Sequence, residues 1–361
     1  MSVDRNTTAE TASPPVALTM GEPAGVGPSL IARLWLSRDK HALPPFFGIG
    51  SRTAFLAHVA DLPVRDIAHP AETAAAFDSG LPLLPVDMAG PVTPGAISAD
   101  TAAGVIAALD MAVSLALSGD AGAIVTAPIQ KSALYGAGFK AAGHTDYLAQ
   151  RCGLPAETAV MMLACDGLRV VPVTVHIPLK EVARQLTPDA IVRAAHATHE
   201  ALKTRFGIAA PRLAVAGLNP HAGEDGALGL EEGTHILPAL RLLRDHGMDI
   251  SGPFPADTMF HAEARNSFDA ALCMYHDQAL IPLKTLDFWG GVNVTLGLPI
   301  VRTSPDHGTA LDLVADGKTH EARLDSMLAA FRMAVSLSQG RISAPAAGDM
   351  SDGHSRTEPA S

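Results

Sequence analysis

The chain has 361 residues, 48% of them hydrophobic, 17% charged and 4% aromatic, and its formal net charge is −11. This apolar content can offset the entropy lost on ordering the chain, so disorder is excluded as the dominant state. The negative charge argues against a nucleic-acid partner, because binding a phosphate backbone needs clustered Lys and Arg. The length fits two domains or one large α/β unit. The low charged fraction favours a homo-oligomer with an apolar interface.

The two ends and the cysteines indicate a cytoplasmic protein. The cysteines are odd in number and far apart, which is typical of a reducing compartment: Cys152, Cys165 and Cys273. The first fifteen residues lack an apolar core, so no signal peptide is expected. No run approaches the roughly 20 apolar residues needed to cross a bilayer. Residues 1–14 and 341–361 are predicted to be disordered tails.

Short apolar runs alternate with longer amphipathic segments along the chain. In chain order, the pattern predicts strands at 16–20, 45–48 and 81–86, a helix at 102–117, a strand at 123–127, two strands of a hairpin at 158–164 and 168–175, a helix at 188–206, a strand at 212–218, a helix at 231–246, a strand at 270–275 and a helix at 321–338. Strands alternating with helices of this length predict an α/β fold with a mostly parallel sheet. We place a first lobe at 15–140 plus 306–340 and a second at 141–305, where Gly-rich and Pro/Gly-rich stretches allow crossings.

Three histidines share one sequence context. His176, His221 and His276 each lie at or just past the end of a buried-looking strand. In open parallel sheets, ligands bind in the crevice beyond the carboxyl ends of the strands. Neutral imidazoles there make a divalent-metal site that leaves positions for substrate. An isolated histidine is usually structural, but three in one context favour the metal site over ordinary turn or core histidines.

His144 and Thr145 place an imidazole and a hydroxyl side by side after Gly143. The glycine would let the backbone approach a ligand closely, and the pair suits an anionic oxygen. The alternative is an ordinary helix N-cap.

A third set of polar residues interrupts the apolar stretches between residues 283 and 303, namely Lys284, Asn293 and Arg302. Lys and Arg together can hold a phosphate or a carboxylate, with Arg providing a bidentate fork. The alternative is a set of surface charges. Residues 304–309 are predicted to open a helix, and helix N-termini favour anions.

The glycine-rich segment 21–28 lies between a predicted strand and a predicted helix. Its spacing is GxxxGxG, which differs from the GxGxxG of dinucleotide-binding loops, and no Walker sequence is present. A nucleotide would therefore be bound by another fold.

Taken in order, several stretches resemble the 4-hydroxythreonine-4-phosphate dehydrogenase family of vitamin B6 biosynthesis. They include MGEPAGVGP, GLNPHAGEDGALGLEE, MYHDQALIPLK and GVNVTLGLPIVRTSPDHGTALD, and the resemblance runs from about Ala17 to Ser338. It implies a fold like that of isocitrate and isopropylmalate dehydrogenases, with two α/β/α lobes. It also implies a homodimer with active sites in the cleft and at the subunit interface, using NAD or NADP and one divalent metal (Zn, Mg, Co or Mn).

The resemblance also implies roles for individual residues. The metal ligands would be His176, His221 and His276, with His276 from the partner subunit. The substrate contacts would be His144, Thr145, Lys284, Asn293 and Arg302. The cofactor contacts would be Asn293, Leu296, Asp306, His307 and Gly308. Asp257 and Asp277 match acidic residues near the site, and the catalytic base is one of Lys284, Asp257 and His144.

The reaction implied is oxidation of 4-phosphohydroxy-L-threonine at its C3 hydroxyl. The resulting 3-oxo acid would lose CO2 to give 3-amino-2-oxopropyl phosphate. One alternative is a dehydrogenase of D-threonate or D-erythronate 4-phosphate. A second is a metal-dependent aldolase of a phosphorylated substrate, and a third is a non-catalytic metal- or phosphate-binding protein.

Overall fold

The structure is a computed structural model that describes residues 13–141 and 143–340. The tails predicted at 1–14 and 341–361 lie outside these ranges, apart from Ser13 and Pro14.

The strands of the described residues join in one twelve-stranded sheet. They are β1 (Val16–Thr19), β2 (Phe46–Gly50), β3 (Val64–Asp66), β4 (Leu81–Pro85), β5 (Ala123–Thr126), β6 (Val160–Cys165), β7 (Leu168–Pro172), β8 (Leu213–Ala216), β9 (Ile250–Phe254), β10 (Ala270–Cys273), β11 (Val292–Leu296) and β12 (Arg302–Pro305). Their order across the sheet is β3-β4-β2-β1-β5-β12-β11-β6-β7-β10-β8-β9.

The sheet has two parallel halves that run in opposite directions. Antiparallel pairing is confined to β12 with β11, β11 with β6 and β6 with β7, and all other neighbours are parallel. These three reversals leave β7 opposite in direction to β12. Strands β7, β10 and β8 are parallel neighbours, so their carboxyl ends lie at one edge. The prediction of an α/β fold with a mostly parallel sheet is confirmed.

The helices connect and cover the strands. They are α1 (Gly27–Leu36), α2 (Arg38–His41), α3 (Arg52–His58), α4 (Thr73–Phe77), α5 (Ala102–Ser118), α6 (Lys131–Leu134), α7 (His144–Arg151), α8 (Leu179–Gln185), α9 (Pro188–Thr204), α10 (Leu237–Asp245), α11 (Ala262–Arg265), α12 (His276–Leu286), α13 (Leu311–Ala315) and α14 (Asp325–Ser338).

The core lies on both faces of the sheet, which explains why the strands are continuous apolar runs. Phe46 and Phe47 are both fully buried, yet they belong to different hydrophobic clusters because successive side chains of a strand point to opposite faces. On one face, Phe46 packs edge to face against Phe331 of α14, with ring centroids 5.0 Å apart. On the other face, Ala108 of α5 joins the cluster of Phe47.

Helix α5 and the turn before it form an apolar segment, Ala99–Ser118, with a mean hydropathy of 1.7. Within residues 13–141 and 143–340 it is the one helix long and apolar enough to cross a membrane. The sequence prediction expected no apolar run of this length, and this segment reaches it with Asp100 and Asp110 among its residues. Because α5 packs on β1, β2 and β5, the structure shows it as a helix of the core.

The structure differs from the sequence prediction in the last third of the chain. The predicted helix opening at 304–309 is wrong, since Ser304 and Pro305 end β12 and α13 starts only at Leu311. Ala310, just before it, has a left-handed φ of 47°, which separates the loop from the helix. The last helix begins at Asp325, four residues later than predicted. Strands β9, β11 and β12 were not predicted, and neither was the short strand β3 in the first third of the chain.

The lobe boundaries stay predictions. Strand β12 pairs with β5, from the predicted first lobe, and with β11, from the predicted second lobe, so the sheet continues across the proposed boundary.

Candidate active site

A cleft of about 780 Å³ lies over the four middle strands β12, β11, β6 and β7. The amino end of α7, the first turn of α9 and the start of α12 complete its walls. Eight of the residues singled out from the sequence line it: His144, Thr145, His176, His276, Asn293, Arg302, Asp306 and His307.

Arg302 begins β12 and is the buried cation of the cleft, with 2% of its surface exposed. Its Nε and Nη2 donate to the hydroxyl of Thr126 at 3.1 and 2.6 Å, and its Nη1 donates to the hydroxyl of Thr295 at 2.9 Å. These threonines lie on the strands that flank β12 on either side. Within the described residues, no carboxylate pairs with Arg302. Desolvation lowers the pKa of this guanidinium to about 10, so it stays charged at neutral pH.

His144 is the first residue of α7, and its Nε2 is buried without a hydrogen-bond partner in the described structure. Burial lowers the pKa of His144 well below its usual value, and the nearby charges of Arg302 and Lys131 lower it further. The imidazole is therefore neutral at physiological pH. A neutral ring nitrogen beside two cations suits contact with an anionic or hydroxylated ligand.

His176 and His276 meet in the cleft, with ring centroids 5.7 Å apart. They follow β7 and β10, whose carboxyl ends adjoin, as the sequence argument required. Desolvation, then His276 and Lys131, lower the pKa of His176, which favours the neutral ring that binds metals. Asp277 lies 2.7 Å from Nδ1 of His276, which leaves Nε2 of His276 free for a ligand.

His221 stands apart from this pair. It follows β8, the next strand along the same edge, but its side chain is exposed and does not line the cleft. Within residues 13–141 and 143–340, no three His, Cys, Asp or Glu side chains are placed to hold a metal ion. A single chain therefore brings together two of the three predicted metal ligands.

Lys284 of α12 forms an ion pair with Asp306, which lines the cleft; Nζ of Lys284 lies 2.6 Å from Oδ2 of Asp306. Its ammonium also lies 5.1 Å from the ring centre of Phe288. This ion pair fixes the loop after β12, where His307 lies. Nε2 of His307 and Oδ1 of Asn293 are buried without a hydrogen-bond partner in the described structure.

Three further predicted site residues, in addition to His221 and Lys284, do not line the cleft in the single chain. Asp257 is exposed in a 3₁₀ turn after β9. Leu296 is buried at the end of β11, where it lines a separate cavity of about 430 Å³. Gly308 is exposed in the loop that precedes α13.

Two cations of the cleft were not singled out from the sequence. Lys131 at the start of α6 and Arg193 on α9 both line the cleft. Lys131 follows β5 as the histidines follow their strands, so its position after a buried strand could have identified it. Arg193 lies inside a helix of ordinary amphipathic pattern and gives no such signal.

Comparison with known proteins extends this description. The family model described as pyridoxal phosphate biosynthetic protein PdxA matches residues 43–334. The 4-hydroxythreonine-4-phosphate dehydrogenase of Zymomonas mobilis is 48% identical over 91% of this chain and 96% of its own length. That of Maricaulis maris is 49% identical, over 91% of this chain and 98% of its own.

Solved structures agree with these relatives. The 4-hydroxythreonine-4-phosphate dehydrogenase of Klebsiella pneumoniae superposes with a TM-score of 0.82, at 36% identity, over 91% of this chain and all of that one. A terephthalate 1,2-cis-dihydrodiol dehydrogenase from Burkholderia xenovorans gives a TM-score of 0.62, at 27% identity, over 89% of this chain and 97% of that one.

The fold, the cleft and these relatives define an oxidoreductase of the α/β class. The relatives from Zymomonas mobilis, Maricaulis maris and Klebsiella pneumoniae carry one dehydrogenase name, and the family model covers most of the chain. The chain belongs to the pyridoxal phosphate biosynthetic protein PdxA family.

Proposed function

We propose that this chain is an NAD-dependent, metal-assisted 4-hydroxythreonine-4-phosphate dehydrogenase. It oxidises 4-phosphohydroxy-L-threonine at the C3 hydroxyl, and the 3-oxo acid loses CO2 to give 3-amino-2-oxopropyl phosphate. The names of relatives near 48% identity support this activity. A cytoplasmic location and the absence of nucleic-acid or membrane partners stay predictions from composition.

The observation that carries the proposal is the buried Arg302. A buried charge without an opposite charge is costly, so a site that keeps one is built for a ligand that brings the missing charge. The threonine hydroxyls orient the guanidinium and leave its charge uncompensated. The phosphate or carboxylate of the substrate supplies that charge, with Lys131 and His144 beside it.

Three imidazoles form the proposed metal site: His176, His221 and His276. The pair at 5.7 Å and the carboxylate of Asp277 on His276 fit such a site, because ligating histidines usually donate their second nitrogen to an acceptor. When bound, the metal supplies Lewis-acid stabilisation of negative charge on the substrate oxygen. Imidazole ligands suit Zn better than Mg, which prefers oxygen ligands.

The nicotinamide cofactor belongs, in this proposal, beside Asn293 and the loop of Asp306, His307 and Gly308. The unpaired polar atoms of Asn293 and His307 fit a polar ligand at that end of the cleft. A nicotinamide held there would supply the hydride acceptor that the oxidation needs. Lys284 holds the loop in place through Asp306. The family name implies a nicotinamide cofactor, and the preference for NAD over NADP stays part of the proposal.

The proton of the C3 hydroxyl needs an acceptor, and the three candidates are placed differently. His144 lines the cleft with an unpaired nitrogen, Lys284 is paired with Asp306, and Asp257 is outside the cleft. Because His144 is the candidate that lines the cleft, we take it as the proton acceptor in this proposal.

A homodimer with shared sites is part of the proposal. His221 and Asp257 are both exposed and away from the cleft of their own chain, as residues that complete a site across an interface would be. The sequence prediction instead took His276 as the ligand supplied by the partner subunit, whereas in this chain His276 lies beside His176 and His221 is the ligand left outside the cleft.

The test is NADH formation from 4-phosphohydroxy-L-threonine, with and without a chelator. Chelator-sensitive NADH from this substrate, and none from its unphosphorylated analogue, is the expected result. Faster turnover of D-threonate or D-erythronate 4-phosphate would keep the mechanism and change the substrate. Cleavage of a phosphorylated substrate without NAD would identify an aldolase and overturn the proposal.

A further inference from the structure

The backbone that carries His221 has an uncommon conformation. Five consecutive residues, His221–Asp225, have φ values between 44° and 81°, and only Gly223 among them is a glycine. We call this segment the left-handed turn. L-residues rarely adopt this region in succession, and such conformations persist where the surroundings over-determine them.

The surroundings of the left-handed turn centre on a buried carboxylate, Glu232, which is 4% exposed. Its Oε1 accepts the backbone N–H of Asn219 at 2.7 Å, and its Oε2 accepts the side-chain amide of Asn219 at 2.9 Å. The same amide nitrogen donates to Glu231 at 2.8 Å. Asn219 lies two residues before His221, so these bonds fix the entry to the turn.

The turn itself closes on Glu232. A Cβ on Gly223 would lie 2.5 Å from Oε2 of Glu232, and one on Gly217 would lie 3.2 Å from Oε1. Glu232 also begins a π-helical segment, Glu232–Ile236, a feature often found at functional sites. The side chain of Glu232 therefore connects the left-handed turn to the π-helical segment, and both are uncommon backbone conformations.

A second buried side chain links this framework to the other histidines. Gln278 donates from Nε2 to the carbonyl of Gly217 at 2.7 Å and accepts the N–H of Met274 at 2.6 Å. It thus joins the end of β8, which leads to His221, to the end of β10, which leads to His276.

We propose that Glu232, acting through Asn219 and the left-handed turn, is a positioning residue for His221. It holds the exposed imidazole in one place, so that a divalent cation meets a ligand already ordered. The inference rests on the proposed role of His221 as a metal ligand. Its physical basis is that groups orienting a metal ligand commonly contribute about 10–100-fold to metal affinity.

The test is calorimetric titration of the metal-free, full-length protein with Co²⁺ or Zn²⁺. Glu232→Gln keeps the acceptor for the backbone N–H of Asn219 but sets an amide NH2 against the NH2 of Asn219. We expect Glu232→Gln to bind metal about 10–100-fold more weakly. Glu200→Gln, the same chemical change at an exposed site on α9, should bind as the unmodified protein does.

A double-mutant cycle separates positioning from general damage. If Glu232 acts through His221, Glu232→Gln should cause no further loss of metal affinity in a protein that already carries His221→Ala. An equal loss in both backgrounds would overturn the inference, as would unchanged affinity of Glu232→Gln. Should that variant not fold, Asn219→Ala, which keeps the backbone N–H and deletes the amide, takes its place in the cycle.

The proposed function fails in a different way from the inference. If His221→Ala itself binds metal as tightly as the unmodified protein, the ligand set is wrong and both fall. If His221→Ala weakens binding and neither Glu232→Gln nor Asn219→Ala does, only the positioning role of Glu232 is overturned. The visible absorption of bound Co²⁺ reports ligand geometry without any turnover.

Discussion

The phenol of Tyr147 donates a hydrogen bond of 2.6 Å to the carboxylate of Asp110, which joins α7 to α5. Arg151, on the same helix as Tyr147, reaches that carboxylate at 2.8 Å. The ring of Phe139 stacks on the ring of Tyr147, with centroids 4.8 Å apart. Because His144 and Thr145 form the first turn of α7, this contact to the long core helix sets where they stand in the cleft.

Tyr147→Phe should therefore weaken substrate binding without touching the substrate. A hydrogen bond to a charged group contributes roughly 1.5–3 kcal/mol, so a partial loss of α7 placement predicts a rise in KM of about 3–10-fold with a nearly unchanged kcat. Steady-state kinetics measure this. Tyr135→Phe, at an exposed tyrosine, is the matched control. An unchanged KM would show that α7 is held by its other contacts.

A separate prediction concerns stability at Ala42, the residue that follows the last residue of α2. Ala42 is an exposed non-glycine residue with φ 49° and ψ 49°. A glycine there avoids the left-handed cost of about 1–2 kcal/mol and loses part of that gain in unfolded-chain entropy. Ala42→Gly should raise the free energy of unfolding by about 0.5–1 kcal/mol in urea titration. The opposite sign is expected for Ala107→Gly, inside α5, where glycine costs about 1 kcal/mol.

Acid should destabilise the protein partly through His144. Its pKa in the folded state is well below 6.5 because the ring is buried beside Arg302 and Lys131, so the unfolded chain takes up a proton first. Below about pH 6.5, this residue alone removes up to about 1.4 kcal/mol of unfolding free energy per pH unit. The contribution is fully present above that pH.

Urea unfolding at pH 7.5 and pH 5.0 checks the pH effect. His144→Asn cannot titrate, so its loss of stability between the two pH values should be smaller than that of the unmodified protein. His69→Asn, at an exposed histidine, serves as the control. Equal losses in the unmodified protein and His144→Asn would mean that other groups govern the acid response.

The local sequence pattern correctly predicted parts of this fold and site. The histidines at strand ends were found because each follows a run of apolar residues that only a buried strand explains, and the structure brings His176 and His276 together. The strands β11 and β12 were missed because polar residues such as Asn293 and Arg302 interrupt them, and those are the residues that face the cleft. In these two strands, polar residues of the site replace part of the apolar pattern by which a buried strand is recognised.

Other features depend on the whole fold and have no local signal. The order of the strands decides that Thr126 and Thr295 flank Arg302, although they are far apart in sequence. The left-handed turn at His221 follows from the contacts of Glu232, since only Gly223 within it suggests positive φ. The exposed position of His221 also depends on the full arrangement of the chain.

Substituting Arg302 tests whether this residue lowers the stability of the protein while it strengthens the binding of substrate. Its buried guanidinium has hydroxyl partners and, in residues 13–141 and 143–340, no carboxylate. A buried charge with no opposite charge beside it carries a desolvation penalty of several kcal/mol, which an apolar residue of similar length does not carry. Arg302→Met should therefore melt no lower than the unmodified protein while raising the KM for the phosphorylated substrate at least about 100-fold. That factor corresponds to about 2.7 kcal/mol of lost binding.

Arg302→Lys sharpens the interpretation. It keeps the charge but replaces the planar fork by a single ammonium, which cannot bond Thr126, Thr295 and an anion in the same geometry. We expect a KM between those of the unmodified protein and Arg302→Met. Thermal melting, substrate kinetics and inhibition by inorganic phosphate measure the three proteins side by side. If Arg302→Met kept its affinity for substrate and for phosphate, the anion would bind elsewhere in the cleft, with Lys131 and Arg193 the next cations to replace.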